Sequence, residues 1–466
     1  MKSRTGCNFD VAKIPNTLGN GLQIRVPGQM GLANSKGDYN NDGIDDIIFF
    51  AGLDNSPYEA AYIIYGNRNF NQSVIDLNTL TPNIGFGVVF DKLAKSCESS
   101  PLIISIDSGF DINHDGIDDL YVSLVCNGKY GYVIYGRTEQ FPIQYIYLSD
   151  LPQSYYDIIS YSAIPVGDVN GDGFKDLLVT GSASTKGASS SNDNCQTQVT
   201  YILGQNNSVN LGFETACTVF DNWYIVPTAS LGDVNGDGFA DIAVSNPYNA
   251  NNLVHQSGST YVIYGTKYPE SFSINNLTQD QGYMINGYEI NQMCGQTLNY
   301  IGSINGDELN DISLSCGNGN MFVIYGQKGN NISSISLNTI NATSGLFANA
   351  SSFDIRTIAA FEGIDSFTNQ NISSFMYNPG GVVNPYPIIF EGQPQYPFPF
   401  DLNSGNYVKI VDSIDQFLYT AANRDIGDVN GDNLTDIAVS VVPSGSMQQS
   451  ENIYIIFGNS SFFDCD

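Results

Sequence analysis

The stretch Gly232-Asp-Val-Asn-Gly-Asp-Gly-Phe-Ala-Asp-Ile-Ala-Val-Ser245 decides how this chain folds, because it joins an Asp/Asn-rich turn to a short apolar run. A second apolar segment, Tyr261-Val-Ile-Tyr-Gly265, follows it. Both segments are short, rich in β-branched and aromatic residues, and bounded by Gly, Asn and Asp, which favours strands over helices. The sequence therefore predicts a hairpin whose turn carries the acidic residues, followed by a third strand.

The second segment recurs seven times along the chain. Its closing glycine stands at Gly66, Gly136, Gly204, Gly265, Gly326, Gly392 and Gly458. Successive glycines are 61 to 70 residues apart, so the copies fill all 466 residues. A repeat of this period indicates one array, and we expect residues 1–466 to form a single domain.

Each repeat has room for four strands, the outermost of which we place in unit 4 at residues 272–277 continuing to 282–287. The last repeat ends soon after its third strand, whereas the chain begins with two strand-like pieces, residues 9–14 and 21–25. These pieces would supply the missing outer strand of the last repeat. The prediction is an all-β fold: a seven-bladed β-propeller of four-stranded blades, with the N-terminal strand closing the last blade.

The turn between the first and second strands carries Asp-x-Asn-x-Asp-Gly-x-x-Asp in four units, and a fifth has Asn433 at the glycine position. Three carboxylates and an amide repel one another unless a cation lies between them, and hard oxygen ligands suit Ca²⁺. The backbone carbonyl of the seventh residue is a further expected ligand. The predicted calcium ligands are Asp38, Asn40, Asp42, Ile44 and Asp46; Asp111, Asn113, Asp115, Ile117 and Asp119; Asp168, Asn170, Asp172, Phe174 and Asp176; Asp233, Asn235, Asp237, Phe239 and Asp241; and Asp428, Asn430, Asp432, Leu434 and Asp436.

Two units depart from the pattern. Ser303, Asn305, Asp307 and Asp311 lack the first carboxylate, so we expect a weak sixth site or none there. Residues 365–373 keep almost nothing of the pattern, and we expect no metal. An EF-hand is rejected because position twelve falls in a strand and is not Glu, as Val244 shows. Asp, Asn and Gly also make metal-free turns, but five copies at one spacing favour ligands.

Cysteines and sequons indicate an oxidising, extracellular setting. The chain has eight cysteines and no Cys-x-x-Cys pair, which favours disulfides over a thiolate zinc site. Cys97/Cys126, Cys195/Cys217 and Cys294/Cys316 are the economical local pairs, and closure of the last repeat by the N-terminal strand would bring Cys7 beside Cys465, although sequence leaves the connectivity open. Nine Asn-x-Ser/Thr sequons stand at Asn71, Asn206, Asn276, Asn331, Asn341, Asn349, Asn371, Asn433 and Asn459. The expected localisation is extracellular or cell-surface, although residues 1–8 contain no signal-peptide core.

Composition excludes several partners. The chain has 47 acidic and 17 basic residues and a formal net charge of −30. Nucleic acid and anionic membrane surfaces need a cationic face, so neither is an expected partner. A run of about 18 apolar residues, the minimum for a membrane-spanning helix, is also absent from the sequence.

The repeats resemble the FG-GAP repeats of the integrin alpha-subunit propeller. The resemblance spans all seven units and rests on Gly-Asp-Val-Asn-Gly-Asp-Gly-x-x-Asp before an apolar strand, as at residues 167–176, 232–241 and, with Asn433, 427–436. The family's Gly-Ala-Pro element survives only loosely, at residues 245–247 and 377–379. The resemblance implies calcium loops on one face of the disc and a ligand on the opposite face.

Strand alternation gives the same geometry, because the connections after the second and fourth strands share a face. This candidate ligand face includes residues 52–60, 181–198, 246–259, 377–387 and 441–450. Tyr58, Tyr248 and Tyr386 are aromatic residues there that could anchor a partner or pack locally. Trp223, the only tryptophan, precedes a first strand and is read as a core residue.

The leading functional prediction is a calcium-binding adhesion or ligand-binding module. Its expected partner is an extracellular protein or glycan, with a second subunit as a further candidate. We assign no catalytic residue: His114 occupies a non-ligand loop position, and His255 has no acid and nucleophile beside it in sequence. The alternatives are a glycan- or lipid-active enzyme, such as a polysaccharide lyase, or an accessory propeller of a larger surface enzyme.

Overall fold

The structure, a computed structural model, describes residues 7–16, 21–27, 30–32, 36–54, 56–91, 102–125, 129–159, 162–183, 196–203, 207–210, 213–214, 227–249, 254–349, 360–364, 373–378, 388–400, 407–411, 423–441, 451–459 and 462. The regular structure in these residues is β-strand and short 3-10 helix. None of the helices in the described ranges is long and apolar enough to cross a membrane.

The described strands form seven sheets, and we number the repeat units by their order along the chain. Written from first strand to outer strand, the sheets are as follows: unit 1, Met30–Leu32, Ile47–Gly52, Glu59–Ile64 and Gly85–Val89; unit 2, Leu102–Phe110, Asp119–Val125, Lys129–Ile134 and Tyr156–Ile159; unit 3, Ser162–Gly167, Asp176–Ala183, Gln196–Leu203 and Asn207–Asn210, with Phe213–Glu214 also on the third strand; unit 4, Thr228–Gly232, Asp241–Asn246, Ser259–Ile263 and Gly282–Asn286; unit 5, Leu298–Tyr300, Ile312–Ser315, Asn320–Ile324 and Gly345–Asn349; unit 6, Ala360–Ile364, Ser374–Asn378, Ile388–Phe390 and Tyr407–Val411; unit 7, Asn423–Gly427, Asp436–Val441, Glu451–Ile456 and Gly21–Val26.

The N-terminal strand completes the sheet of the last unit, as predicted. Gly21–Val26 runs antiparallel to Glu451–Ile456, with Ile24 opposite Ile453. The earlier piece, residues 9–14, was wrongly placed in the same strand. Cys7–Asp10 instead pairs in parallel with Tyr407–Val411 of unit 6, and Val11–Asn16 is a 3-10 helix.

In several units the connection from the third strand to the outer strand first passes along the preceding unit, and we call this connection the crossing segment. The outer strand expected at residues 272–277 was wrong, because those residues belong to the crossing segment of unit 4. In unit 4 those residues contain the 3-10 helix Ile274–Asn276, and the outer strand is Gly282–Asn286 alone. Three crossing strands, Val74–Asp76, Tyr145–Tyr147 and Ser334–Ser336, pair in parallel with the outer strand of the preceding unit. Further 3-10 helices are Leu77–Thr79, Leu148–Asp150, Gln153–Tyr155 and Leu337–Thr339.

The crossing segments follow this path because their apolar residues fill the gap between neighbouring sheets. Ile75, Leu77 and Leu80 are all buried among residues of units 1 and 7. An isolated outer strand would leave these side chains in water, whereas each buried side chain of this size stabilises the fold by about 1.5–3 kcal/mol.

The core lies between the sheets and not within any one of them. The described residues form seven apolar clusters, and each combines residues of two neighbouring units. One of them joins the last unit to the first, since it contains Ile453 and Ile455 together with Phe49 and Tyr62. Sheets that pack face to face around a closed circuit make an all-β propeller.

One predicted disulfide is confirmed. Cys294 and Cys316 are bonded and both are almost fully buried. The other three predicted pairs depend on side chains that lie outside the described residues. The rings of Phe9 and Phe462 lie 5.5 Å apart, so the described residues nearest the two ends of the chain lie beside each other.

Candidate metal sites in the carboxylate loops

Six units have a described loop between the first and second strands, and we number its residues one to nine from the first predicted ligand. Position six has a left-handed backbone in each of them: Gly43, Gly116, Gly173, Gly238, Glu308 and Asn433 have φ between +68° and +92°. The predicted role of the glycine is confirmed, because L side chains disfavour this conformation. Position four is left-handed too, although the sequence pattern did not predict it; its residues are Asn41, His114, Gly171, Gly236, Gly306 and Gly431.

The side chains at positions one, three and five close the loop on itself. In unit 4, Asp233 Oδ2 accepts a hydrogen bond from the Gly238 N–H at 2.8 Å. Asn235 Oδ1 accepts from the Asp237 N–H at 3.1 Å, and Asp237 Oδ1 accepts from the Phe239 N–H at 3.0 Å. The same three bonds recur in the loops that begin at Asp38, Asp111, Asp168 and Asp428.

The carboxylate at position nine is buried and accepts hydrogen bonds from backbone N–H groups. Asp241 Oδ2 accepts from the Val234 N–H at position two, and Oδ1 accepts from the N–H of Gly265, both at 2.8 Å. Asp46, Asp119, Asp311 and Asp436 repeat both bonds, and Asp176 repeats the first. This aspartate therefore joins its own loop to the end of the third strand.

Burial raises the pKa of these carboxyl groups. Desolvation raises the pKa of Asp241 and of Asp436 to about 8, and that of Asp119 and of Asp311 to about 7, although the backbone hydrogen bonds oppose the rise. The neighbouring loop carboxylates raise it further, as Asp237 and Asp233 do for Asp241. The pKa of Asp46 is raised for the same reasons. A divalent cation in the loop would favour the ionised form and lower these pKa values.

The close approach of the carboxylate loop to the end of the third strand explains why a glycine stands there. A Cβ on Gly265 would lie 2.5 Å from the Ala240 carbonyl oxygen and 2.9 Å from the Val169 oxygen of the preceding unit. Gly326 is enclosed in the same way by Asn310 and Val234. In the sequence, these glycines indicate only the number of repeats. At Gly265 and Gly326, the missing side chain lets the loops of two units approach one strand end.

In the described part of the chain, five of the loops also connect their unit to the next one. The carbonyl at position two accepts a hydrogen bond from the residue after the third-strand glycine of the following unit, as Val234 does from Gln327 at 2.9 Å. Tyr39, Val169, Ile304 and Val429 repeat this bond with Arg137, Thr266, Gln393 and Asn67. The bond from Asn67 to Val429 joins unit 1 to unit 7 and so closes the circuit.

The donor set of each intact loop fits a hard divalent cation in its chemistry. Positions one, three and five carry two carboxylates and an amide on the solvent side, and position nine adds a buried carboxylate that backbone N–H groups hold in place. However, no group of three or more Asp, Glu, His or Cys side chains in the described part of the chain converges as metal ligands. Side chains at positions one, three and five would have to turn from backbone N–H groups toward the ion.

The loop predicted to be weak has the same conformation as the intact ones. Ser303 Oγ replaces the first carboxylate and accepts from the Glu308 N–H at 3.1 Å, and Asp311 keeps both of its backbone bonds. The turn therefore forms without the first ligand, so its shape alone does not identify a metal site. The loop at residues 365–373 lies outside the described residues except for Ser373.

The two histidines lie on different faces and make different contacts. The His114 ring lies edge-on to Phe174 of the next unit at 3.8 Å between centroids, and both of its nitrogens are buried. His255 Nδ1 lies 3.3 Å from Asn291 Oδ1 on the opposite face. His114 packs two loops together, and His255 belongs to a polar surface contact.

The opposite face carries a rigid platform formed by unit 4 and the connection to unit 5. Three residues of the 287–297 connection, Asn291, Met293 and Cys294, donate backbone hydrogen bonds to His255, Gln256 and Ser257 of the 247–258 connection. The disulfide of Cys294 with Cys316 then fixes the 287–297 connection to unit 5. Ile290 projects from this platform with 70% of its surface exposed.

The two described tyrosines that were predicted as possible anchors on this face are half-buried. Tyr58 is half-buried and packs against the core between units 1 and 7, so the local-packing alternative holds for it. Tyr248 is half-buried beside Asn246, whose Oδ1 accepts from its N–H. Tyr386 and Trp223 lie outside the described residues. Ile290 had no sequence signal, because an isolated isoleucine in a polar stretch reads as a buried residue.

Comparisons with known proteins support the resemblance. Residues 226–263, which hold the first three strands of unit 4, match the FG-GAP repeat family. The chain is 25% identical over 275 residues to integrin alpha pat-2 of Caenorhabditis briggsae, an alignment that covers 53% of this chain and 20% of that protein. The chain thus spans about a fifth of the length of the curated relative it matches. The predicted likeness to FG-GAP and integrin alpha propellers is confirmed.

Two solved structures superpose on the chain with low scores. The crystal structure of polysaccharide lyase Uly1 superposes with a TM-score of 0.44 and 8% identity, covering 98% of this chain and 97% of that one. The crystal structure of BBS1N in complex with ARL6DN, soaked with lead, superposes with a TM-score of 0.40 and 8% identity, covering 93% of this chain and 97% of that one.

Proposed function

We propose that this FG-GAP, integrin-alpha-like chain is an extracellular calcium-binding propeller whose seven sheets are seven blades. A protein or glycan ligand binds the face opposite the carboxylate loops, and a second subunit is a further partner class. The observation that carries this proposal is that the two faces have different structures. One face is occupied by loops that hold neighbouring units together, and the other presents the platform around Ile290.

Calcium would be held by positions one, three, five and nine and by the position-seven carbonyl in the five intact loops. Bound there, it supplies positive charge that neutralises clustered carboxylates next to a contact between units. Because the intact loops of units 1, 3, 4 and 7 bond to the following unit, a loop made rigid by calcium would also restrain its neighbour. The role proposed for calcium is therefore structural support of a binding surface on the other face.

The calcium proposal is tested by thermal unfolding with calcium and with excess chelator, together with elemental analysis of the purified protein. A ligand that binds only the folded state raises the free energy of unfolding by about 2.7 kcal/mol at one hundred times its Kd. We expect a calcium-dependent rise in the melting temperature. An identical melt in chelator, with no metal found, would refute calcium binding.

The ligand proposal is tested by screening labelled protein against glycan arrays and cell-surface proteins, with and without calcium. Ile290→Ala should lower binding to any ligand found by tenfold or more, since exposed apolar anchors dominate interface energetics. Tyr268→Ala is the matched control, because Tyr268 is 76% exposed in the connection after the third strand of unit 4, on the carboxylate-loop side. Equal effects of the two variants, or turnover of a bound glycan, would contradict the binder proposal.

A further inference from the structure

The N-glycosylation sequons are distributed unevenly over the propeller. Six of the nine sequon asparagines have described and exposed side chains: Asn71, Asn276, Asn331, Asn341, Asn433 and Asn459. Exposure matters because a glycan of many sugars fits only where the asparagine side chain reaches solvent. These six are the candidates for modification in the folded protein.

Five of the six asparagines lie after a third strand, and three of them, Asn71, Asn331 and Asn459, lie within seven residues of the end of that strand. Asn71, for example, lies between the third strand Glu59–Ile64 and the outer strand Gly85–Val89, and Asn459 lies just beyond Glu451–Ile456. This end of the third strand is where the carboxylate loops lie, since the Gly458 N–H donates to Asp436 Oδ1 at 2.8 Å. The segment before Asn331 touches the unit 4 loop, because Asn330 Oδ1 accepts from Asn235 Nδ2 at 3.0 Å.

The sixth, Asn433, is in a carboxylate loop. It occupies position six with φ of +68°, where the other intact loops have glycine. A Cβ built on Gly43, Gly116, Gly173 or Gly238 meets no atom within 4 Å, so a side chain at this position extends into open space. A glycan on Asn433 can therefore be accommodated without displacing the loop.

The described connections on the opposite face contain no sequon. They include residues 53–54, 56–58, 254–258, 287–297 and 316–319. Asn349, which ends an outer strand at that side opposite Asn320, is the sequon nearest to this face, and its side chain is not among those described. Asn206 and Asn371 lie outside the described residues.

We infer that N-linked glycans cover the carboxylate-loop face and leave the opposite face open to a macromolecular partner. The inference rests on the extracellular location in the proposed function. In the modification, the asparagine amide nitrogen attacks C1 of a polyprenyl-diphosphate-linked oligosaccharide. The new N–C1 bond forms, the C1–O bond breaks, the diphosphate leaves with that electron pair, and the amide nitrogen loses one proton. The donor and its transferase belong to the secretory pathway of the host.

The test is glycopeptide mapping of the full chain secreted from a eukaryotic host. Enzymatic release in ¹⁸O-water converts each modified asparagine to labelled aspartate. We expect label on at least four of the six exposed asparagines, and label on three or fewer would overturn the inference. Recovery from the medium and the calcium-dependent melt are scored separately, so failure of the proposed function is distinguishable from failure of the glycan assignment.

Asn433→Gly checks the loop site without risking the fold. The variant restores the glycine found in the other four intact loops, so the melting temperature in chelator should be unchanged. The intact mass should fall by one glycan. An unchanged glycan mass would show that Asn433 is unmodified, and it would count against coverage of the loops themselves.

Discussion

The backbone N–H of Asp428 donates a hydrogen bond to Oδ2 of Asp45 at 2.9 Å, although 383 residues separate them in the chain. In return, the Asp45 N–H donates to the Asp428 carbonyl oxygen at 3.2 Å. Asp45 is at position eight of the first loop, and Asp428 is at position one of the last. This reciprocal pair joins the two ends of the repeat array, and the same position-eight contact joins Asp118 to Asp38.

Removing the Asp45 carboxylate should loosen this closure. Asp45→Ala leaves the Asp428 N–H without its acceptor in a half-buried site, which costs about 1–3 kcal/mol. Asp45→Asn keeps an acceptor oxygen and should cost less. Urea unfolding in chelator measures both variants free of any metal effect. Equal stabilities of the alanine variant and the parent would show that the contact does not contribute.

Replacing aspartate by asparagine should change the stability differently at positions nine and five of one loop. Asp241→Asn leaves only one acceptor oxygen for the Val234 and Gly265 N–H groups, so the free energy of unfolding should fall by about 1–3 kcal/mol even in chelator. Asp237→Asn changes an exposed side chain, so it should reduce only the increase in the free energy of unfolding that calcium causes. Differential scanning calorimetry with and without calcium separates the two effects. The prediction fails if Asp241→Asn is harmless in chelator.

The third-strand glycines should tolerate no side chain. Gly265→Ala places a methyl group against the Ala240 and Val169 carbonyl oxygens, and overpacking of this kind costs about 1–3 kcal/mol. Gly238→Asn is the comparison, because its side chain enters open space and Asn433 already adopts that backbone in unit 7. We expect a clear loss of stability for the first variant and a small one for the second. Chemical denaturation curves provide the measurement, and the reverse order would contradict the packing account.

The disulfide should stabilise the opposite-face platform. Cys294 and Cys316 are 22 residues apart, and closing a loop of that length contributes about 3 kcal/mol by restricting the unfolded chain. The double variant Cys294→Ala with Cys316→Ala should therefore unfold more easily and exchange amide hydrogens faster in residues 287–297. Exchange in the unit 1 loop is the internal control. Unchanged exchange in both regions would exclude a role for the disulfide in the platform.

Much of the local structure was determined by the sequence itself. The repeat of Tyr261-Val-Ile-Tyr-Gly265 set the number and spacing of units, and the nine-residue loop predicted its left-handed glycine. The orphan strand at residues 21–25 indicated how the last sheet is completed. These features depend on turn chemistry and side-chain alternation within a few residues, so a short window of sequence contains them.

The contacts between units were decided only by the tertiary structure. Asp45 at position eight, the Val234 carbonyl and the crossing segment Val74–Asp76 all act on a neighbouring unit. Nothing within one repeat identifies those partners, because hydrogen bonds and apolar packing between units depend on how the sheets are arranged around the ring. The sequence thus specified the blades and their turns, and the arrangement of the sheets made the carboxylate loops the contacts that hold them together.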